Sequence, residues 1–340
     1  LPSNIEHTRI LQLNDLREFL SGSRNIVITN HINPDGDAMG SALGLQHFLK
    51  GRGHDVRVVA PNEPPPFLRW LPGYDDVIMA DVQAELAQNA FEEADVIFVL
   101  DYNAIHRGGE AIQNWIQASK ARKVMIDHHR EPDSWPDDMY SDTAKGSTAE
   151  MVFDLIQWWD GDKELSSDIA NSLYVGIVTD SGSFRFPSTT PATHRAAARL
   201  LEAGADPSNI HDKVYDVNTR SRLKLLGIML DNMEVLEDKG IAILHLTAPI
   251  MQQCNYTKGD SEGFVNYGLS LKGIRVSVFF REDGDRTKCS FRSKGDVDVN
   301  TFARNHFNGG GHLNAAGGIF DGSATQAIQH LKKALESDNL

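Results

Sequence analysis

The sequence predicts a doubly wound, mostly parallel α/β sheet, then a helical linker and a smaller α+β domain with a mixed sheet. Three observations carry this. Short β-branched runs alternate with helical patterns through the first half, the signature of parallel strands joined by helical crossovers. Several of these runs end at turn residues that bring an Asp or a His with them. After Gly240 the alternation gives way to a hairpin pattern.

Asn25–Thr29 (NIVIT) reads as the first strand, with an amphipathic helix from Asp37 to Lys50 behind a short loop. Asp55–Ala60, Asp95–Leu100 and Lys123–Ile126 are further apolar runs of strand length. Ser147–Trp159 and Ser167–Thr179 read as helices, the second entering through Ser166 and Ser167. Pro187 and Pro191 interrupt the pattern, Thr193–Ala203 resumes it up to Gly204, and Ile210–Asp231 reads as one connecting helical region. Ile241–Thr247 is a strand. Ile274–Arg281 and Thr287–Ser293 form a hairpin around Gly284-Asp285. Side chains alternate along the second arm, so Lys288, Ser290 and Arg292 share one face and Cys289 and Phe291 the other. A helix over Val299–His306, a glycine-rich turn and a last helix capped by Ser323 close the chain.

The 340 residues suit two domains, and 41% apolar with 24% charged residues excludes wholesale disorder. No apolar run approaches the roughly 20 residues that span a bilayer, and LPSNIEHTRI has neither the basic nor the apolar part of a leader. With only Cys254 and Cys289, a disulfide framework or thiolate zinc site is excluded, and a reducing, cytoplasmic setting is expected. A net charge of −14 argues against a binder of long duplex nucleic acid. From Lys272 to His312, however, eight Lys/Arg stand against five Asp/Glu, which suits a small anionic ligand.

His31, Asp35 and Asp37 follow the first strand in HINPDGD; Asp101 follows VIFVL; Asp127, His128 and His129 follow KVMI; Asp180 ends LYVGIVT. Each alone is compatible with an ordinary polar loop, and Asp37 with a helix cap. Together they deliver acids and imidazoles to one rim of one sheet, where open α/β folds bind ligands. Five carboxylates in one site repel one another, and divalent cations resolve that cost. Oxygen and imidazole donors without thiolate point to Mn²⁺, with Mg²⁺ or Co²⁺ as substitutes. Two such ions about 3.5–4 Å apart activate a water and stabilise both oxygens of an in-line displacement at phosphorus. In the second domain, Gly309-Gly310-Gly311-His312 reads as an anion cradle, with backbone N–H groups unshielded by Cβ and His312 as a further donor. Lys288 and Arg292, with Ser290 and Ser293, complete the expected substrate grip, and Arg292 suits a bidentate phosphate clamp. Asn300 and Arg185 are weaker candidates. His47 and His54 read as surface residues, Phe153, Trp158 and Trp159 as core or interface, and Phe279 and Tyr267 as core more than base platforms.

In order, HINPDGD, VLDY, DHH and TDSGSFRF resemble the four motifs of the DHH phosphoesterase family. GGGH with AAGG, and KCSFRS upstream, resemble its associated substrate-binding domain of the first type. The resemblance runs from about Asn25 to Gly318 and is nearest to the bifunctional oligoribonucleases (nanoRNases) that are also 3′-phosphoadenosine 5′-phosphate phosphatases. It implies a metal-binding catalytic domain over 1–190, a helical linker over 191–238 and a substrate-binding domain over 239–340, with the active site in a cleft between the two domains. It implies two Mn²⁺ ions: His31, Asp35 and Asp101 around one, and Asp37, Asp101, His128 and Asp180 around the other, with Asp101 bridging. His129 is then a donor at the scissile phosphate and Asp127 an orienting residue. The implied substrates are short single-stranded RNA oligonucleotides and small phosphorylated nucleotides. A phosphodiesterase of cyclic dinucleotides or their linear products is the alternative. No membrane partner is implied, and a homodimer is compatible with the family.

Overall fold

The computed structural model describes residues 14–161, 165–338 and 340, so the LPSNIEHTRI segment lies outside the described residues. The apolar runs pair as strands β1 (Asn25–Thr29), β2 (Asp55–Ala60), β3 (Ile78–Met79), β4 (Val96–Leu100), β5 (Arg122–Asp127) and β6 (Asp138–Ser141). They form one parallel sheet in the order β3-β2-β1-β4-β5-β6. Ile26, Ile28, Phe98 and Ile126 face one core, while Val27, Ile97 and Val99 face another. Burial on both faces is why these strands read as continuous apolar runs. The sequence reading missed β3 and β6. Both are short edge strands, and DMYS has no apolar run to mark it.

The chain leaves β1 toward β2 and β3, then returns to place β4 on β1's other side. A crevice therefore opens at the carboxyl ends of β1 and β4, where the strand order reverses. The helices of this unit are α1 (Asn14–Phe19), α2 (Gly36–Lys50), α3 (Ala84–Glu93), α4 (Glu110–Ala118), α5 (Thr148–Asp160), α6 (Ser167–Asp180), α7 (Pro191–Glu202) and α8 (Pro207–Val214). Glycines spaced four apart on α2 let it lie almost backbone to backbone against α6. A Cβ on Gly40 would sit 2.5 Å from Ser172 O and 2.8 Å from Gly176 N. Because the two helices run in opposite directions there, the start of α2 and the end of α6 meet, and with them Asp37 and Asp180.

Two expectations about this region change. Pro191 does not break a helix but opens α7, where its missing N–H costs nothing and Thr190 supplies the cap. The helical region expected over Ile210–Asp231 consists of two helices, α8 and α9 (Arg220–Asp231), each with its own cap at Asp206 and Thr219. The chain divides into two compact units between Val217 and Asn218, so the helices of 191–238 are shared between the units.

The second unit holds α9, β7 (Glu234–Leu236), β8 (Ile241–Leu246), α10 (Ala248–Gln253), β9 (Val276–Asp283), β10 (Arg286–Ser293), α11 (Val299–His306), β11 (Gly310–His312), β12 (Ala315–Asp321) and α12 (Ala324–Ser337). Its sheet runs β11-β12-β10-β9-β8-β7, parallel between β8 and β9 and antiparallel elsewhere. Val278, Phe280, Phe291 and Phe307 pack on one face with α11 and α12, and Leu244, Leu246 and Phe279 on the other with α9. Ser323 caps α12 in a reciprocal box with Gln326.

Candidate active site

All eight acids and imidazoles expected at the rim converge. Asp101, directly after β4, is almost fully buried and sits in the left-handed region (φ 65°), a backbone conformation that non-glycine residues hold only when their surroundings fix it. Its two oxygens face different partners. Oδ2 lies 3.4 Å from His31 Nε2, and Oδ1 lies 3.5 Å from His128 Nε2. Around His128 Nε2 stand Asp180 Oδ2 at 3.5 Å and Asp37 Oδ2 at 3.9 Å; Asp35 Oδ1 is 4.0 Å from His31 Nε2. Among the described residues three sets could hold a metal ion, their ligand atoms within 4.8 Å of one another: His31 with Asp35 and Asp101; Asp37 with His128 and Asp180; and Asp101 with His128 and His129.

Each imidazole is oriented from behind. His31 Nδ1 faces Ile32 O at 2.9 Å and His128 Nδ1 faces Lys145 O at 3.3 Å. Carbonyls only accept, so in the neutral rings Nδ1 carries the proton and Nε2 turns to the carboxylates, the arrangement of metal-ligating histidines. His129 is held differently. Its Nδ1 is 2.6 Å from Asp127 Oδ1, and its backbone N–H donates to Asp127 Oδ2 at 3.0 Å. Asp35 caps α2, its Oδ1 accepting from Asp37 and Ala38 N–H, so the cap is Asp35 rather than Asp37.

Burial alone lowers both His31 and His128, yet the hydrogen bond and charge of Asp101, with other carboxylates behind it, raise them to about 9 and about 11. Burial, with repulsion from Asp101 and Asp35, pushes Asp180 up to about 7. Burial, Asp101 and Asp180 lift Asp37 well above the usual carboxylate range, and burial and Asp101 raise Asp35. Burial opposes ionisation of Asp101 too, but hydrogen bonds from His128 and His31 outweigh it and hold it well below that range. Without cations the cluster must retain protons to balance its charge. A hard, oxygen- and nitrogen-only donor set under this repulsion fits divalent metal ions.

In the second unit the alternation along β10 holds. Cys289 and Phe291 are buried, while Lys288 is exposed and Ser290 and Arg292 are half-buried on the other face. Among the described residues Arg292 forms no ion pair; it donates to Phe291 O at 2.9 Å. Lys288 pairs with Asp283 at 2.8 Å in an exposed bridge near the hairpin end. Ser293 belongs with Cys289 and Phe291. It is buried, donating to Val297 O at 2.7 Å and accepting from Asn314 Nδ2 at 2.9 Å, so it closes a turn apart from the strip.

The glycine-rich segment also departs from expectation, because Gly310 and Gly311 lie in a strand rather than a loop. Glycine is needed for close approach: a Cβ on Gly309 would fall 1.8 Å from Gly317 O. The N–H of Gly309 already donates to Ala303 O at 3.2 Å and that of Gly311 to Asn300 Oδ1 at 2.8 Å, so these two amides are engaged within the unit. The backbone register sets His312 opposite Ala315, itself opposite Arg292; the His312 side chain lies outside the described residues.

Phe153, Trp159 and Phe279 are buried, Trp158 is partly so, and Tyr267 and Arg185 are exposed. His54 is buried rather than on the surface, tucked behind the α2–β2 turn. Thr148 is the rim residue that sequence reasoning missed. Its Oγ1 donates to Asp101 Oδ1 at 3.0 Å, and its N–H to Asp37 Oδ2 at 2.7 Å. The signal available was the cap pattern Ser-Thr-Ala-Glu opening a helix.

The cluster of acids and imidazoles lies at the switch point of a doubly wound sheet, where such folds bind their ligands. Comparison with known proteins gives the family. Residues 25–177 match the DHH family, N-terminal domain, and residues 240–338 match the DHHA1 domain. The bifunctional oligoribonuclease and PAP phosphatase NrnA of Thermus thermophilus is 32% identical over 92% of this chain and 90% of its own. The cyclic-di-AMP phosphodiesterase GdpP of Geobacillus thermodenitrificans is 28% identical over 94% of this chain but only 48% of its own length. Among solved structures, an exopolyphosphatase-related protein from Bacteroides fragilis superposes with a TM-score of 0.94, at 40% identity over 96% of both chains. The chain belongs to the DHH family of phosphoesterases, with a DHHA1 domain as its second unit. Among the described residues no helix is long and apolar enough to cross a membrane.

Proposed function

We propose that this protein hydrolyses short oligoribonucleotides, down to dinucleotides, to mononucleotides and removes the 3′-phosphate of 3′-phosphoadenosine 5′-phosphate, with two Mn²⁺ ions as cofactors. The observation that carries the reading is that Asp101 faces two ways: Oδ2 toward His31, with which and Asp35 it forms one ligand set, and Oδ1 toward His128, which also belongs to the set with Asp37 and Asp180. When bound, the ions supply Lewis-acid activation of water and neutralise charge at phosphorus. His31, Asp35 and Asp101 would hold one, and Asp37, Asp101, His128 and Asp180 the other.

The remaining roles fall to this chain's own groups. Asp127 grips His129 Nδ1, so Nε2 is left to donate a proton toward the departing oxygen, and the buried carboxylate stabilises the imidazolium that gives it. Arg292 and Ser290 bind a phosphate and ribose of the substrate, with Lys288 steering. The near full-length match to NrnA supports this substrate class over the cyclic dinucleotides of GdpP, of which this chain spans under half. A cytoplasmic site of action accords with such substrates.

The test compares initial rates with Mn²⁺ on a 5′-phosphorylated diribonucleotide, 3′-phosphoadenosine 5′-phosphate and cyclic di-adenylate. Fast turnover of the first two with the cyclic compound inert is expected. Preferential opening of the cyclic compound would overturn the substrate assignment.

A further inference from the structure

The roles above leave residues 145–149 unused, although this short segment touches three of the expected ligands. Ser147 caps α5 by accepting from Glu150 N–H at 3.1 Å. The N–H groups of Thr148 and Ala149, unpaired within the helix because they open it, donate to the two oxygens of Asp37 at 2.7 and 2.8 Å. Thr148 Oγ1 donates to Asp101 Oδ1 at 3.0 Å, and Lys145 O faces His128 Nδ1 at 3.3 Å. The segment is anchored in turn. The buried Lys145 ammonium is 3.1 Å from Glu150 and 2.6 Å from Asp154, and Glu150 accepts from Thr193 Oγ1 at 2.8 Å.

We infer that Thr148 is a positioning residue whose hydroxyl fixes the plane of the Asp101 carboxylate, so that this one group serves two cations. The inference rests on the two-cation reading above. A carboxylate left to turn about its Cβ–Cγ bond would present no fixed lone pair to either partner. Here the left-handed backbone of Asp101 sets where the group starts, and the Thr148 hydroxyl sets how it is rotated. The two oxygens turn together, so both positions feel the loss of the hydroxyl; its contact is to Oδ1, so the effect is largest on the side of His128. The His31–Asp35 position, faced by Oδ2, keeps its own contacts and loses less.

The experiment measures Mn²⁺ binding by calorimetry to metal-stripped wild type, Thr148→Val, Thr148→Ser and Asp101→Asn, with thermal unfolding of each recorded alongside. Wild type should bind two equivalents. Thr148→Val, which keeps the shape and loses the hydroxyl, should weaken one equivalent about tenfold and the other by less. Thr148→Ser, which keeps the hydroxyl, should bind as wild type does, and it tests the inference even if the valine variant fails to fold. Equal weakening of both equivalents by valine, no weakening, or a serine variant as weak as valine would overturn the role of the hydroxyl alone. A wild type that takes up no Mn²⁺, or an Asp101→Asn variant that binds like wild type, would overturn the two-cation reading and this inference with it.

Discussion

The rim of the first sheet and the outer strip of the second are opposite kinds of charged surface. At the rim, side chains from four segments scattered over the first 180 residues crowd together, and carboxylates outnumber imidazoles. The strip is built from neighbours two apart on one strand, half-buried or exposed, with cations in excess. Crowding like charges is tolerated only where something fixed opposes it. The opening turn of α5, the carbonyls behind His31 and His128, and the close approach of α2 to α6 all hold the rim rigid. At the strip Arg292 leans on a single carbonyl. The contrast predicts that changes at the rim act on chemistry and on metal-linked stability, whereas changes at the strip act on binding.

The largest effect that could break this contrast is at Asp101. Asp101→Ala removes the carboxylate shared by both ligand groups and should lower kcat by at least about a thousandfold in steady-state assays, a loss of transition-state stabilisation of roughly 4 kcal/mol. Near-normal turnover would mean that the rim is not the reaction centre.

The location of the rim was legible in the sequence for a simple reason. A polar residue just after a β-branched run must emerge at the strand's carboxyl end, and the residues following β1, β4 and β5 share that edge, while Asp180 reaches it at the end of helix α6. The orienting groups were not legible. Thr148 meets Asp37 across 111 residues of chain, and only the packing of α2, α5 and α6 brings them together. Pro191 misled because a proline that ends one helix and a proline that opens another look alike until the cap at Thr190 is seen. The GGGH segment misled for a related reason. Glycines needed for a strand's close approach are spelled like glycines of an anion-binding loop. Alternation along β10 was legible for the strip, yet Ser293 sits one residue past Arg292 and therefore faces the other way.

A second, smaller effect separates the rim from the strip by pH. In the metal-free protein His31 and His128 are raised to about 9 and about 11, and Asp180 to about 7. A raised folded pKa stabilises fully below the unfolded value and is lost as pH rises through the folded one. For the imidazoles that loss begins above their ordinary 6.5 and runs through about 9 for His31 and about 11 for His128; for Asp180 it is largely complete by about 7. Asp101, depressed, works in the opposite sense and only at the acid end. The metal-free Tm should therefore fall by a few degrees between about pH 6.5 and about pH 9. Mn²⁺, which replaces those protons, should raise Tm more at the upper pH than at the lower. An equal rise at both would remove the rim's charge crowding as the basis of metal binding.

The smallest effects sharpen the other half of the contrast. Arg292→Ala removes a half-buried cation that makes no ion pair among the described residues, so the expected loss is in substrate contact rather than in fold. KM for a dinucleotide should rise about tenfold, as expected for a charged hydrogen bond of roughly 1.5 kcal/mol, with kcat changed less. Ser293→Ala, one residue away, should do the reverse. It leaves Asn314 and Val297 short of a buried partner and should cost about 1 kcal/mol of stability while KM stays put. If both variants shifted KM alike, alternation along β10 would not be what sorts its residues, and the grip would have to be sought elsewhere in the second unit. If Arg292→Ala lowered kcat alone, that guanidinium would act on the reacting phosphate, and the division between a reacting rim and a holding strip would fail at that residue.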